Sequence, residues 1–191
     1  KKKKINILPD RSLMPKIGQT GYSVSQAIAE LVDNSVDARE REDGHPLTVE
    51  VFFDADEGFV MVSDDGIGMS EDVAANSLRL AHSAKKDQLG EFGLGMKTAA
   101  TSLGKKFTIA TTQRGSNEEY ILEYNEQEWL KSGDWNSHEM KIKSGVDKEK
   151  SGTSIVISDL RFKIYSNLPG NIREDLATRF APYIESGEIK I

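Results

Sequence analysis

The sequence predicts an α+β two-layer sandwich, in which helices cover one face of a mixed, mostly antiparallel sheet. Two observations favour this fold class. Helical patterns come early in the chain and strand patterns come later, and the strands follow one another like a meander instead of alternating with helices. The 191 residues, 37 % hydrophobic and 29 % charged, suit a single domain over 1–191 with one core.

The first predicted elements are a short strand, a long helix and a hairpin. We predict a strand over Ile5–Leu8 and a helix over Ser23–Glu40, because the helix opens on two serine caps and no proline interrupts it. Strands over Leu47–Phe53 and Phe59–Ser63 flank a turn-rich connection that is typical of a hairpin.

The rest of the chain carries three more helical patterns and four more strand patterns. The polar, lysine-rich stretch 131–151 is predicted to be a loop. The predicted helices are Glu71–Leu80, Met96–Leu103 and Asn171–Ala181, and the predicted strands are Phe107–Thr112, Tyr120–Tyr124, Thr153–Ser158 and Glu188–Ile191.

Composition and charge limit the classes of protein to which the chain can belong. No apolar run is long enough to span a bilayer and no signal-peptide pattern opens the chain, so we expect no membrane partner. The absence of cysteine excludes disulfides and thiolate metal sites, and it fits the cytoplasm, or the nucleus of a eukaryote. The net charge of −6 argues against a uniformly basic nucleic-acid surface, although not against a local basic patch.

The first long helix gathers acidic and amide side chains on one face. A rotation of about 100° per residue places Asn34 and Asp37 within about 40° of Glu30, and Asp33 within about 60°. A solvated acidic face is the ordinary alternative. However, asparagine is a poor residue inside a helix, and bunched carboxylates repel one another unless a cation neutralises them. Mg²⁺ with a polyphosphate would do so, with the Asn34 oxygen as a ligand and Glu30 as a base for an attacking water.

Residues 64–69 form an acidic, glycine-containing loop directly after a predicted strand. A tight turn explains the first Asp-Gly pair, but it explains a second glycine and a methionine less well. Gly66 and Gly68 would let the backbone approach a flat ligand, and Met69 offers a soft apolar face to a ring. The Asp64 carboxylate would accept a hydrogen bond from an exocyclic amine such as that of adenine.

The stretch Gly90–Lys97 is a second glycine-rich loop, and it runs into a predicted helix. It is not a Walker loop, because Met96 rather than glycine precedes Lys97, and it lacks the third glycine of the dinucleotide fingerprint. Its free backbone N–H groups and the helix dipole favour anions. The nearby Lys85 and Lys86 strengthen the prediction of a phosphate site over that of a flexible loop.

Taken together, these segments resemble the motifs of the GHKL ATPases, which include gyrase B subunits, ninety-kilodalton heat-shock chaperones, sensor histidine kinases, MutL and the related MORC proteins. Glu30 argues against a histidine kinase, and Ser83-Ala84-Lys85 before the glycine loop resembles the MORC branch. The matching segments are Glu30-x-x-x-Asn34-x-x-Asp37-Ala38, Asp64-x-Gly66-x-Gly68-Met69, Gly90-x-x-Gly93-x-Gly95-x-Lys97 and Ser151-Gly152-Thr153.

This resemblance implies the GHKL (Bergerat) fold, with ATP and Mg²⁺ as cofactors. It implies that Glu30 is the general base, that Asn34 holds the metal and that Thr153 supports the aspartate beside adenine. The residues implied to contact the nucleotide are Asp37, Asp64, Gly66, Gly68, Met69, Ser83, Lys85, Gly90, Phe92, Gly93, Leu94, Gly95, Met96, Lys97 and Thr153.

The resemblance further implies an ATPase in which bound ATP orders a lid and drives homodimerisation or clamp closure, with DNA as a candidate partner. Two alternatives stay open: a non-catalytic nucleotide-sensing switch, and a chaperone-type ATPase that acts on proteins. The chain starts without methionine and ends on a strand pattern, so we expect a piece of a longer protein that lacks the transducer domain. Hydrolysis by this piece alone is expected to be slow.

Overall fold

The computed structural model describes residues 2–5, 7–19, 21–39, 45–80 and 94–191. Seven helices and seven strands occur among them. The helices are α1 (Leu13–Ile17), α2 (Val24–Asp37), α3 (Glu71–Asn76), α4 (Gly95–Leu103), α5 (Glu126–Ser132), α6 (Leu168–Arg179) and α7 (Ala181–Glu185). The strands are β1 (Leu47–Asp54), β2 (Phe59–Asp64), β3 (Gly104–Thr112), β4 (Glu118–Asn125), β5 (Met140–Ser144), β6 (Gly152–Leu160) and β7 (Ile189–Lys190).

The strands form one seven-stranded sheet in the order β5-β4-β3-β6-β2-β1-β7. The pair β1 and β7 is parallel, and every other neighbouring pair in the described sheet is antiparallel. Helix α2 packs against β1 and β2, helix α4 packs against β3 and β6, and the two helices pack against each other. The predicted α+β class with a mixed, mostly antiparallel sheet is confirmed.

The helix-covered face of the sheet is apolar along most of its length and becomes polar at one end. Rows of paired residues run across it, such as Val62 beside Ile155 beside Ile109. The next row on the same face, two residues away in each of these strands, consists of Asp64 beside Thr153 beside Thr111. Because side chains alternate between the two faces of a strand, the register itself places this polar row under the helices.

Helix α2 begins at a capping box and buries one continuous apolar stripe. The Ser23 hydroxyl accepts from the Gln26 N–H, and the Gln26 side chain accepts from the Ser23 N–H, so two of the otherwise unpaired donors at the helix start are satisfied. The stripe of residues that are at most 4 % exposed consists of Ala27, Ile28, Leu31, Val32 and Val36. No helix among the described residues is long and apolar enough to cross a membrane.

Several element predictions differ from the structure, among them the last long helix, which spans Leu168–Arg179 rather than Asn171–Ala181. The described residues of the predicted Ile5–Leu8 strand are exposed and belong to none of the strands of the structure, and the first element of the described chain is the short helix α1. Helix α3 ends at Asn76 rather than Leu80, and α2 ends at Asp37 rather than Glu40, which itself lies outside the described residues. The predicted loop 131–151 contains the end of α5 and the whole of β5.

The loop prediction over 131–151 was wrong for an identifiable reason. Strand β5 is an edge strand whose lysines are exposed, and lysine on an edge discourages pairing with other molecules while hiding the strand signal in the sequence. Its pairing with β4 supplies the backbone hydrogen bonds that no local pattern indicates. Helix α5 is short and has no fully buried residue, so its apolar periodicity is weak as well.

Candidate active site

A cavity of about 560 Å³ opens between α2, the start of α4 and the polar end of the sheet. An apolar wall lines it, made of Leu31, Val62, Ile67, Val73 and Ile155. It also brings together ten residues that the sequence singled out: Glu30, Asn34, Asp37, Asp64, Gly68, Met69, Gly95, Met96, Lys97 and Thr153. Segments more than 100 residues apart in the chain therefore share one pocket.

Asp64 is held at the cavity floor by three protein donors. The N–H groups of Gly66 and Thr153 donate to Oδ1 at 3.0 and 3.2 Å, and the Ser35 hydroxyl donates to Oδ2 at 2.8 Å. Burial raises the pKa of this carboxyl, and the three hydrogen bonds oppose the rise because they favour the charged form. The arrangement fixes the carboxylate and leaves Oδ2 with capacity to accept from a ligand.

Two glycines permit the close backbone approach on which this floor depends. Gly68 has φ +68°, and a Cβ added to it would lie 1.9 Å from the Thr112 carbonyl oxygen. Gly152 has φ +136°, and a Cβ there would lie 1.9 Å from the Asp64 carbonyl oxygen. Any other residue at either position would push the acidic loop away from the strands that carry it.

Helix α2 presents Glu30, Asn34 and Asp37 to the cavity, one turn apart, as its periodicity predicts. The Asn34 Nδ2 donates to the Glu30 carbonyl oxygen at 2.9 Å, and only the nitrogen of an amide can donate, so the orientation of the amide is fixed. Its oxygen is therefore the end that remains for a ligand. Asp33 was wrongly included in the group: it pairs with Arg179 on α6 and does not line the cavity.

The start of α4 faces Glu30 across the cavity. A Cβ added to Gly95 would lie 2.5 Å from the Glu30 Oε1, so the carboxylate packs directly against the first turn of α4. Lys97 lies in that turn, 3 % exposed, and burial lowers the pKa of its ammonium to about 8. The site thus combines a carboxylate, the N-terminal end of a helix and a cation that is largely removed from water.

The lowered pKa of Lys97 makes a prediction about stability. Below pH 8 both the folded and the unfolded chain carry this proton, and above about 10.5 neither does, so the free energy of unfolding rises with pH in the window between them. A shift from 10.5 to about 8 corresponds to a rise on the order of 3 kcal/mol. Urea denaturation between pH 7.5 and 10 measures it, with Lys97→Met as the comparison. An equally steep rise in Lys97→Met would contradict the assignment.

The donor set of the site suits Mg²⁺ better than it suits a fully protein-held metal. Among the described residues, no three His, Cys, Asp or Glu side chains cluster in a way that could hold a metal ion. Mg²⁺ takes few protein ligands, keeps several waters and is bound through substrate phosphates. One oriented amide oxygen on Asn34, with the Glu30 carboxylate one turn away, fits that kind of ion.

The remaining predicted site residues fall into two groups. Gly66 and Leu94 are described but do not line the cavity. The Gly66 N–H donates to the Asp64 carboxylate, and Leu94 is the N-cap residue of α4. The other five lie outside the described residues, namely Ser83, Lys85, Gly90, Phe92 and Gly93.

Sequence reasoning missed two buried hydroxyl groups of the site. Ser35 is 5 % exposed and donates to Asp64. Thr111 is 1 % exposed, and it accepts from the Met69 N–H at 2.9 Å and contacts Gly152 and Thr153 on the neighbouring strand. Thr111 could have been found from the strand register, since it stands beside Thr153 in the sheet, but nothing near it in sequence indicates a role.

Comparison with known proteins matches the region that contains this cavity. A family model described as histidine kinase-, DNA gyrase B-, and HSP90-like ATPase covers residues 22–153. The chain is similar to ATPase morc-1 of Caenorhabditis elegans, with 37 % identity over 90 residues, which are 47 % of this chain and 10 % of that protein.

Two mammalian proteins give further matches. ATPase MORC2 of Homo sapiens is 33 % identical over 94 residues, which are 44 % of this chain and 8 % of that protein. ATPase MORC2B of Mus musculus is 27 % identical over 168 residues, which are 81 % of this chain and 15 % of that protein. The matches therefore span 8 % to 15 % of the lengths of these relatives.

Proposed function

Because this chain belongs to the histidine kinase-, DNA gyrase B- and HSP90-like ATPases, close to the MORC proteins, we propose that it binds ATP with Mg²⁺ in the cavity and hydrolyses it with Glu30 as the base. One observation carries the proposal: the acidic face of α2, the Asp64 loop and the start of α4 line a single cavity. Its volume of about 560 Å³ lies in the range of small-molecule sites.

The polar end of the sheet would hold the adenine base. The Asp64 Oδ2 accepts from the exocyclic amine, while the Gly68 backbone lies close enough to the strands to leave room for a flat ring. Met69 and the apolar wall of the cavity contact the ring faces. The adenine base would thus lie at the polar end of the sheet, where the apolar wall removes it from water.

The phosphates would lie between α2 and the first turn of α4. The N–H groups of that turn and the Lys97 ammonium offer positive potential to the terminal phosphate. Glu30 packs against Gly95 and so stands beside the same position, where its carboxylate can take a proton from a water that attacks the terminal phosphorus. Asn34 would hold Mg²⁺ through its side-chain oxygen, and the ion would neutralise part of the phosphate charge.

Phosphate release measured with ATP and Mg²⁺ tests the proposal directly, together with calorimetric binding. Release above a buffer blank, with measurable ATP binding, is the expected result. Binding without release would instead favour the non-catalytic nucleotide switch. Absence of both would contradict the proposed function.

Asn34→Ala is expected to remove the dependence of ATP binding on magnesium. The side chain faces the cavity, and the hydrogen bond of its nitrogen lies within α2, so its loss should leave the core unchanged. Calorimetry with Mg²⁺ and with a chelator should give a difference of about tenfold or more in the wild type, on the scale of one lost charge-assisted contact, and little difference in the variant. Equal affinities in the wild type under the two conditions would contradict this role.

Turnover by these 191 residues alone is proposed to be slow. Resemblance to gyrase and MutL implies that a lysine from a following transducer domain reaches the terminal phosphate, and no glycine-flanked lysine loop follows Thr153 in this sequence. The lack of one charged contact in the transition state lowers the rate on the order of a hundredfold or more. A turnover number equal to that of the full-length protein would contradict the expectation.

The same resemblance supports ATP-dependent homodimerisation of the full-length protein, with DNA as a partner. Sedimentation of that protein with and without a non-hydrolysable ATP analogue tests the dimer. Phosphate release measured with added DNA or with added unfolded protein separates a DNA-directed ATPase from the chaperone-type alternative.

A further inference from the structure

Thr111 is a buried residue that joins two segments of the cavity floor through three contacts, without lining the cavity itself. Its hydroxyl lies 2.9 Å from the Met69 nitrogen, 3.1 Å from the Gly152 carbonyl oxygen and 2.9 Å from the Thr153 hydroxyl. The first contact belongs to the acidic glycine loop, and the other two belong to β6. One oxygen atom therefore connects the two segments that would hold the base.

Counting protons fixes the direction of each of these hydrogen bonds. The Met69 N–H can only donate, so Thr111 accepts there, and the Gly152 carbonyl can only accept, so Thr111 donates its single proton there. The Thr111 proton is then already used, so the only hydroxyl proton that can lie between the two threonine oxygens is that of Thr153. All three contacts are hydrogen bonds only when Thr153 donates to Thr111.

Thr153 thereby presents only acceptor lone pairs to the cavity, and the Asp64 carboxylate beside it does the same. We propose that Thr111 is a positioning residue that locks the Thr153 hydroxyl as an acceptor and so makes the base end of the site selective for a ligand edge that donates, the 6-amino edge of a purine. This inference rests on the proposed function, and it concerns which base the site selects.

The alternative is that Thr111 only pins the loop to the sheet. Both roles predict weaker nucleotide binding when the hydroxyl is lost, because the Met69 N–H and the Gly152 carbonyl then each lose their hydrogen bond to it. Only the positioning role predicts a change in the choice between nucleotides. Without Thr111 as its acceptor, the Thr153 hydroxyl turns and donates into the cavity, where it suits an oxo group.

The test compares ATP with ITP, which carries a 6-oxo group in place of the 6-amino group. Calorimetry with Mg²⁺ on the wild type, Thr111→Val and Thr111→Ser measures the ratio of the two affinities. The wild type is expected to prefer ATP, and Thr111→Val is expected to reduce that preference by about tenfold, the scale of one hydrogen bond. Thr111→Ser keeps the hydroxyl and should retain the preference of the wild type.

Thr153→Val supplies an independent check. This variant lacks the hydroxyl that Thr111 orients, so adding Thr111→Val to it should leave the ATP-to-ITP ratio unchanged. If Thr111→Val alone does not fold, Thr153→Val on its own must still lose part of the ATP preference, and full retention would overturn the inference.

The two possible failures are distinguishable. Equal weakening of ATP and ITP in Thr111→Val, or a failure of Thr111→Ser to restore the ratio, would overturn the positioning role while leaving ATP binding in place. A wild type that binds neither nucleotide would overturn the proposed function and this inference with it.

Discussion

Glu30→Gln is expected to abolish phosphate release while ATP binding is retained. The substitution preserves the volume and the packing of the side chain against Gly95, but an amide cannot take a proton from water. General-base catalysis is typically worth about 10²- to 10⁴-fold in rate, so turnover should fall by at least the lower figure. Affinity for ATP should change little, because this role exists only in the transition state.

Phosphate release and calorimetry on the same preparations separate the two quantities. Asp33→Asn is the matched control, since it makes the same chemical change on the same helix at a residue that pairs with Arg179 and does not line the cavity. It should leave turnover close to that of the wild type. If Glu30→Gln hydrolyses ATP as fast as Asp33→Asn, another group is the base.

Local patterns were sufficient to predict the cavity-facing residues of α2, although not Ser35 on the same helix, whose partner Asp64 lies on a distant segment. Glu30, Asn34 and Asp37 reach the same cavity because helical periodicity alone sets their directions. The same periodicity wrongly grouped Asp33 with them, because it cannot show that Arg179, nearly 150 residues later, lies beside that helix. For a side chain at the edge of a helix face, such as Asp33, a partner from a distant segment determines whether it points into the cavity or away from it.

The role of Thr111, which was missed, depends on pairing between strands. Thr111 and Thr153 meet because β3 and β6 are neighbours in the sheet, although a hairpin partner, β4, and the edge strand β5 intervene in sequence. A single sequence gives no register for such a pair. The fold class was nevertheless predictable, since the helices and the longer strands each bury one face with the expected period.

Strand register also explains why the cavity is where it is. The face of the sheet that packs under α2 and α4 is apolar through Val62, Ile155 and Ile109, and it ends in the polar row that contains Asp64. The core and the floor of the site are thus one surface. A substitution in the apolar row next to it, which consists of Val62, Ile155 and Ile109, is expected to change both the stability of the fold and the binding of a ligand.

Asp64→Asn is expected to weaken ATP binding on the order of a hundredfold or more, since a buried acceptor becomes a donor that faces an amine. The protein contacts can survive the change: the amide oxygen still accepts from the N–H groups of Gly66 and Thr153, and the Ser35 hydroxyl can turn to accept from the new NH₂ group. The loss therefore falls on the ligand and not on the fold.

Asp65→Asn is the matched control for this change. Asp65 is the next residue, its carboxylate accepts from the Thr48 N–H on the other side of the loop at 2.7 Å, and it does not line the cavity. Calorimetry should show wild-type ATP affinity in Asp65→Asn and the large loss only in Asp64→Asn, with thermal unfolding confirming that both variants are folded. A change in affinity of about threefold corresponds to less free energy than one hydrogen bond contributes. If the ATP affinity of Asp64→Asn lies within about threefold of the wild type, the base does not bind at this carboxylate.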